Sequence, residues 1–154
     1  MLTQLQRYQQ KSLKAEADQR QSTQEIILEK IKLLFQKYQA KVNREIVLGF
    51  NQIQKEVAGN QLSMVVINKS AKKELVELLM EVCLNKRVSF LVIPNLFDEL
   101  AAVFQVHSAN CFAIRRNPPQ GIDTDQSLLD GRSAVLDDLR DFLVRQSRKS
   151  VEFL

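Results

Sequence analysis

The sequence predicts an α/β fold, a compact three-layer α-β-α sandwich around a small mixed sheet. Three observations predict it. Short β-rich runs at Leu62–Ile67, Val88–Ile93 and Asn110–Ile114 alternate with helical segments of about 10–15 residues. The runs are apolar at most positions, as in strands covered on both faces; a half-exposed strand would alternate with polar residues. The chain is also long enough to form a core: 154 residues, 45% of them hydrophobic, can bury about 68–70% of their unfolded surface. Strands alternating with helices imply helices on both faces of the sheet and mostly parallel pairing.

Each element follows from local pattern. Residues 1–22 are glutamine-rich, with little beyond Leu2, Leu5, Tyr8 and Leu13 to bury, and read as an N-terminal arm or helix that orders on a partner. An α/β domain spans 23–116. It opens with a helix, Thr23 to Gln39, whose stripe is Ile27, Ile31, Leu34, Phe35 and Tyr38; Ser22 or Thr23 can cap it. A polar link, Lys41 to Arg44, leads to a second helix that opens at Gly49 and stops near Gly59-Asn60 in a left-handed turn. After the Leu62–Ile67 strand, Asn68-Lys69-Ser70 turns into a helix carrying Leu75, Leu78, Leu79, Val82 and Cys83. The second strand ends at Pro94, and a helix over about 95–104 presents Leu96, Leu100, Val103 and Phe104. A loop from Gln105 to Ala109 precedes the third strand. Pro118, Pro119 and Gly121 mark Arg115 to Asp125 as linker-like, with 117–126 as the boundary segment between domains. Residues 127–154 form a C-terminal helix, to about Gln146, and a tail.

Composition narrows the function. No apolar run approaches the ~20 residues that span a bilayer, and the N-terminus lacks a signal-peptide pattern. The two cysteines, Cys83 and Cys111, have no CxxC spacing, so a reducing compartment, cytosol or nucleus, is expected. A single histidine, His107, gives no paired-histidine metal site and little for a nucleophile–base scheme. Gly49, Gly59, Gly121 and Gly131 form no phosphate-cradling loop. Glu45, Glu74, Glu77 and Glu99 read as single carboxylates on exposed faces. The expectation is a non-enzyme with no catalytic residues, metal, cofactor, small-molecule substrate or membrane contact. Charge points elsewhere. From Lys30 to Lys55 six cations stand against Glu45 alone, a net +5 beside a whole-chain +4, while six aspartates face two arginines between Asp123 and Asp141. Such asymmetry suits a polyanion.

The run Leu48 to Lys55 sharpens this. At about 100° per residue, Phe50, Ile53 and Val57 form one stripe, and Asn51, Gln52 and Lys55 share the opposite face. A glycine at the turn, two amides and one cation suit contact with base edges and phosphate.

With these elements placed, Val47 to Arg116 resembles the kink-turn RNA-binding superfamily of ribosomal and small-RNP proteins, the L-seven-Ae type. The motif of that family, a glycine, a variable residue, Asn-Glu and a cation three positions later, corresponds here to Gly49, Phe50, Asn51, Gln52 and Lys55. The strands Ser63–Ile67 and Val88–Pro94 are similar to the family's, and Ala101 to Ala109 corresponds to its recognition loop. Asn68-Lys69-Ser70-Ala71-Lys72, Ile93-Pro94-Asn95-Leu96 and Leu100-Ala101-Ala102-Val103 resemble one branch most, the thirty-eight-kilodalton (Pop-three-type) subunit of RNase P and RNase MRP.

The resemblance implies a non-catalytic RNA-binding subunit that grips a kink-turn-like bent internal loop, in tRNA 5′ maturation and rRNA processing. It implies RNase P/MRP RNA and sister protein subunits as partners, and a nuclear, nucleolar location. Gly49, Asn51, Gln52 and Lys55 would form one half of the RNA site, and Val106, His107 and Ser108 the other. Gln52 departs from the family glutamate: an amide oxygen still accepts hydrogen bonds, but the charge-assisted bond is lost. The alternatives are a box C/D snoRNP or ribosomal kink-turn-binding protein, and a protein–protein adaptor that has lost RNA binding.

Overall fold

The computed structural model describes residues 23–118 and 126–152. The glutamine-rich arm 1–22 and most of the 117–126 segment lie outside the described residues. A helix α1 runs over 23–32 and widens into a π-helical turn, Leu33–Lys37. It is followed by β1 (Ile46–Leu48), α2 (Phe50–Ala58), β2 (Leu62–Asn68), α3 (Lys73–Lys86), β3 (Ser89–Ile93), α4 (Phe97–Phe104), β4 (Cys111–Arg115) and α5 (Gln126–Glu152).

The four strands form one mixed sheet in the order β1-β4-β2-β3. The three-layer arrangement follows from the side-chain period of two along each strand. Ile46, Met64, Val66, Leu91, Ile93, Phe112 and Ile114 point to one face, where Ile27, Ile31 and Leu34 of α1, Leu100 of α4 and Leu136, Leu139 and Leu143 of α5 cover them. Val47, Val65, Ile67, Cys111 and Ala113 point to the other, beneath Ile53 and Val57 of α2 and Leu79 and Cys83 of α3. Phe112 is fully buried and meets Phe97 and Phe104 with ring centroids 6.0 and 5.9 Å apart. Phe104 in turn takes the edge of Phe35 at 5.1 Å. These aromatic contacts pin α4 to the sheet and fix where the loop after it begins.

Several expectations change. The sheet is not mostly parallel: β2 and β3 pair parallel, whereas β4 runs antiparallel to both β1 and β2. The reason lies in α4. It is only about 12 Å long at 1.5 Å per residue, and the chain returns after it to the sheet edge that it left: Asn110 O accepts the Asn68 N–H at 2.8 Å, at the end of β2. A fourth strand, β1, occupies what reads in the sequence as the approach to the Gly49 helix. Arg115, linker-like in sequence, closes β4, and α5 extends to Glu152 rather than to about Gln146. At the end of α2 the left-handed residue is Asn60 (φ 58°), with Gly59 at φ −86°.

Glu45 is the sharpest correction. It is 3% exposed, not on a solvated face. Its Oε2 accepts the Lys41 N–H at 2.9 Å, and its Oε1 meets Arg44 and, at 3.0 Å, Nε of the equally buried Arg132 on α5. Lys30 pairs with Asp138. Two cations of the Lys30–Lys55 run thus serve internal pairs, and the run is not one basic face.

Candidate functional site

The ends of β1, β2 and β3 and the start of β4 meet at one edge of the sheet. Gly49 follows β1 with φ 91° and ψ 136°, a conformation costing a residue with a Cβ about 1–3 kcal/mol. A Cβ there would meet nothing within 4 Å, so the backbone angle alone calls for glycine. This sharp turn lets α2 start directly from the strand. Its N-terminus has no side-chain cap, so first-turn N–H groups face outward, an arrangement suited to an anion.

The α2 surface divides cleanly. Ile53 and Val57 are buried, Phe50 is half-buried, and Asn51, Gln52 and Lys55 are exposed. Lys55 stands one turn further along than Asn51, about 6 Å up the helix axis.

A residue not singled out from sequence organises this face. Glu56 is 9% exposed and accepts two hydrogen bonds from the Arg115 guanidinium, Nε to Oε1 at 2.8 Å and Nη2 to Oε2 at 3.2 Å. Gln52 Nε2 donates to the same Oε2 at 2.8 Å. A carboxylate only accepts, so the Gln52 nitrogen must face Glu56 and its Oε1 is left turned away, as an acceptor. Burial alone would push the Glu56 carboxyl up. The hydrogen bonds from Arg115 and Gln52 and the charges of Arg115 and Lys55 outweigh that and hold it below the usual carboxylate range. Arg115 Nη1 also donates to the carbonyls of Asn43 and Arg44, which ties α2 and β4 to the turn before β1. The four-residue spacing of Gln52 and Glu56 is visible in the sequence; the arginine 59 positions away from Glu56 is not.

The second group of residues lies at the same edge. α4 ends with Gln105 in a left-handed cap (φ 57°), and the Val106 N–H returns to Ala101 O at 3.0 Å. Val106 is half-buried against the core, which holds the loop down, while His107 and Ser108 are exposed. At the far end of the loop, Asn68 donates to Asn110 twice: backbone to backbone at 2.8 Å, and Nδ2 to Oδ1 at 3.3 Å. Leu48 pairs with Phe112, so Gly49 sits beside Cys111, and its N–H faces the Cys111 sulfur. The fold therefore brings Gly49, Asn51 and Gln52 to the edge that carries Val106, His107 and Ser108, with Lys55 on the flank.

Burial raises both thiols, Cys83 and Cys111, to about 11, so they are protonated at neutral pH. Among the described residues no three of His, Cys, Asp and Glu cluster to hold a metal. No helix among them is long and apolar enough to cross a membrane.

Comparison with known proteins shows the family. The model of the ribosomal protein L7Ae/L30e/S12e/Gadd45 family matches residues 32–120. No curated protein matches the chain. Among solved structures, a protein with unknown function from Bacillus halodurans C is similar at 18% identity and a TM-score of 0.48, over 70% of this chain and 96% of that one.

Proposed function

Because the chain belongs to the ribosomal protein L7Ae/L30e/S12e/Gadd45 family, we propose that it is a non-catalytic RNA-binding protein that grips a kink-turn-like bent internal loop. The finer reading is a nuclear subunit of an RNase P/MRP-type ribonucleoprotein, acting in tRNA 5′ maturation and rRNA processing beside sister protein subunits.

The observation that carries the reading is the orientation of Gln52. Its nitrogen is engaged by Glu56, so its oxygen is left to accept, at a helix start that also bears Asn51 and has no side-chain cap. Duplex RNA hides base edges in a deep, narrow major groove, so base reading concentrates at bulges and non-Watson–Crick pairs. A sharply bent internal loop exposes guanine edges whose N–H groups suit the Gln52 oxygen. Asn51 adds a donor and an acceptor, Lys55 reaches phosphate, and the loop from Val106 to Ser108 covers unstacked bases from the other side. Glutamine in place of glutamate keeps the acceptor and gives up the charge.

The test is a binding titration of the full chain against a kink-turn RNA and a straight duplex of equal length, across a salt series. The bent RNA should be preferred, with a steep dependence on salt. Lys55→Ala should weaken both RNAs about equally, and Asn51→Ala should erase the preference by removing about 1–3 kcal/mol of base reading. Equal, weak binding to both RNAs would refute the proposal and favour the adaptor alternative. For the finer reading, RNase P or MRP RNA should co-purify with the chain from cells; a methylation-guide or ribosomal RNA instead would refute that assignment.

A further inference from the structure

The same sheet edge carries a second set of cations. Lys69, Lys72 and Lys73 lie in and just after the β2–α3 turn, and all three are exposed. Among the described residues no carboxylate lies within ion-pair distance of Lys69 or Lys72; Lys73 has only a solvent-exposed contact with Glu77 at 3.8 Å, worth little in water. The turn is rigid. Asn68 Oδ1 accepts the Ser70 N–H at 3.0 Å, the Ala71 N–H donates to Asn68 O at 3.1 Å, and the Lys69 N–H donates to Ile93 O at 3.0 Å.

Topology sets how far these lysines stand from the α2 face. β1 and β2 are separated by β4 alone, so the chain leaves β2 two strand spacings, about 10 Å, from where it leaves β1 at Gly49. α2 and α3 pack side by side over the same face of the sheet. Lys72 and Lys73, at the start of α3, therefore continue the side on which Asn51, Gln52 and Lys55 stand. The acids that open α4, Asp98 and Glu99, belong to the helix over the opposite face. Cations thus stand on α2, at Lys55, and at the start of α3, on the same sheet edge; the first turn of α3 also carries one exposed acid, Glu74, beside Lys73, while Lys69 and Lys72 lie ahead of it.

We infer that Lys69, Lys72 and Lys73 bind backbone phosphates of the RNA stem that leaves the bent loop, extending the footprint of the protein beyond the bend. This inference rests on the RNA reading of the α2 face. Its chemistry is that of phosphate positioning: three ammonium groups on a braced turn set the register of a stem without reading its sequence.

The experiment compares the full-length wild type, the triple variant Lys69→Gln/Lys72→Gln/Lys73→Gln, and a control with the same charge loss elsewhere, Lys32→Gln/Lys37→Gln/Lys86→Gln. Each is titrated against kink-turn RNAs with both stems long, or with one or the other trimmed to the bend. On the long RNA the triple variant should have a slope of log affinity on log salt shallower by about 2–3, one step for each phosphate that it no longer neutralises. The control should keep the wild-type slope. Trimming the stem that these lysines touch should bring wild type and triple variant together, while both still prefer bent RNA to straight. If the wild type prefers bent RNA but the triple variant keeps its slope and affinity on every RNA, the inference is overturned and the RNA reading stands. A weakening of equal size on all RNAs, trimmed ones included, also overturns it. A wild type without preference for bent RNA overturns both.

Discussion

Replacing Arg132 by methionine should loosen α5 from the rest of the domain, and the size of the effect follows from its surroundings. The Arg132 and Glu45 side chains are 3% and 4% exposed, with Nε and Oε1 3.0 Å apart. Breaking such a pair costs about 3–5 kcal/mol when the surviving charge is left without a partner. In Arg132→Met, however, Glu45 keeps Arg44 and the Lys41 N–H, and the methionine stem fills most of the vacated space. The cost should drop to about 2 kcal/mol, a Tm lowered by about 4–8 °C for a chain of this size. Glu45→Gln is the harsher change. It takes the carboxylate from Arg44 and the buried Arg132 together, which the contact of Arg132 Nη1 with Tyr38 O offsets only in part, and should cost about 3 kcal/mol, with a Tm about 6 °C lower or more. Thermal unfolding followed by circular dichroism measures both, and the double variant gives the coupling between them. Arg132→Met melting within about 1 °C of wild type, or Glu45→Gln melting no lower than Arg132→Met, would refute the argument that this pair anchors α5.

Three further outcomes are expected. Glu56 has a lowered carboxyl pKa in the folded chain, so its stabilisation is present above the unfolded value, about 4.3, and is lost as pH falls through the lower folded value. Glu56→Gln should be less stable than wild type at pH 7, and the gap should narrow below about pH 4 in denaturant titrations; a pH-independent gap contradicts this. Cys83 and Cys111, buried and raised to about 11, should resist a thiol-colour reagent in the native chain at pH 8 and react promptly in denaturant. Gly131→Ala should destabilise despite the ~1 kcal/mol gain in helix propensity, because the new Cβ would lie 2.2 Å from Tyr38 Cε1. The overpacking cost, about 1–3 kcal/mol, should disappear in a Tyr38→Ala background, where the same change should be neutral or stabilising.

Much of the fold is legible in the sequence because it rests on local pattern. β2 and β4 are apolar on both faces, and the period of α2 separates Ile53 and Val57 from Asn51, Gln52 and Lys55 without any tertiary information. What the sequence hides depends on distant partners. β1 has three residues, shorter than a run that signals a strand, and exists because β4 pairs with it. Strand direction depends on where the chain comes back after α4, which apolar runs do not record. Glu45 reads as solvated because nothing near it in sequence marks Arg132 as its partner. Glu56 shows only its four-residue spacing from Gln52; its role appears only with Arg115 in place. The residues of the candidate site stand in the motif itself, but how Gln52 is turned is a property of that pair.

The two faces of β4 are built to different heights. Toward α4 and α5 it presents Phe112 and Ile114; toward α2 and α3 only Cys111 and Ala113, all four of them buried. Small side chains work here as a thin shim between the bulkier Val47 and Val65, and they let the helix bearing Asn51 and Gln52 settle low over β4. Ala113→Val would add two methyl groups to that shim and lift α2 off its seat, carrying the Gln52 oxygen outward relative to the loop at Val106. The alignment of the two halves of the site is thus set from underneath, by residues that no ligand could touch.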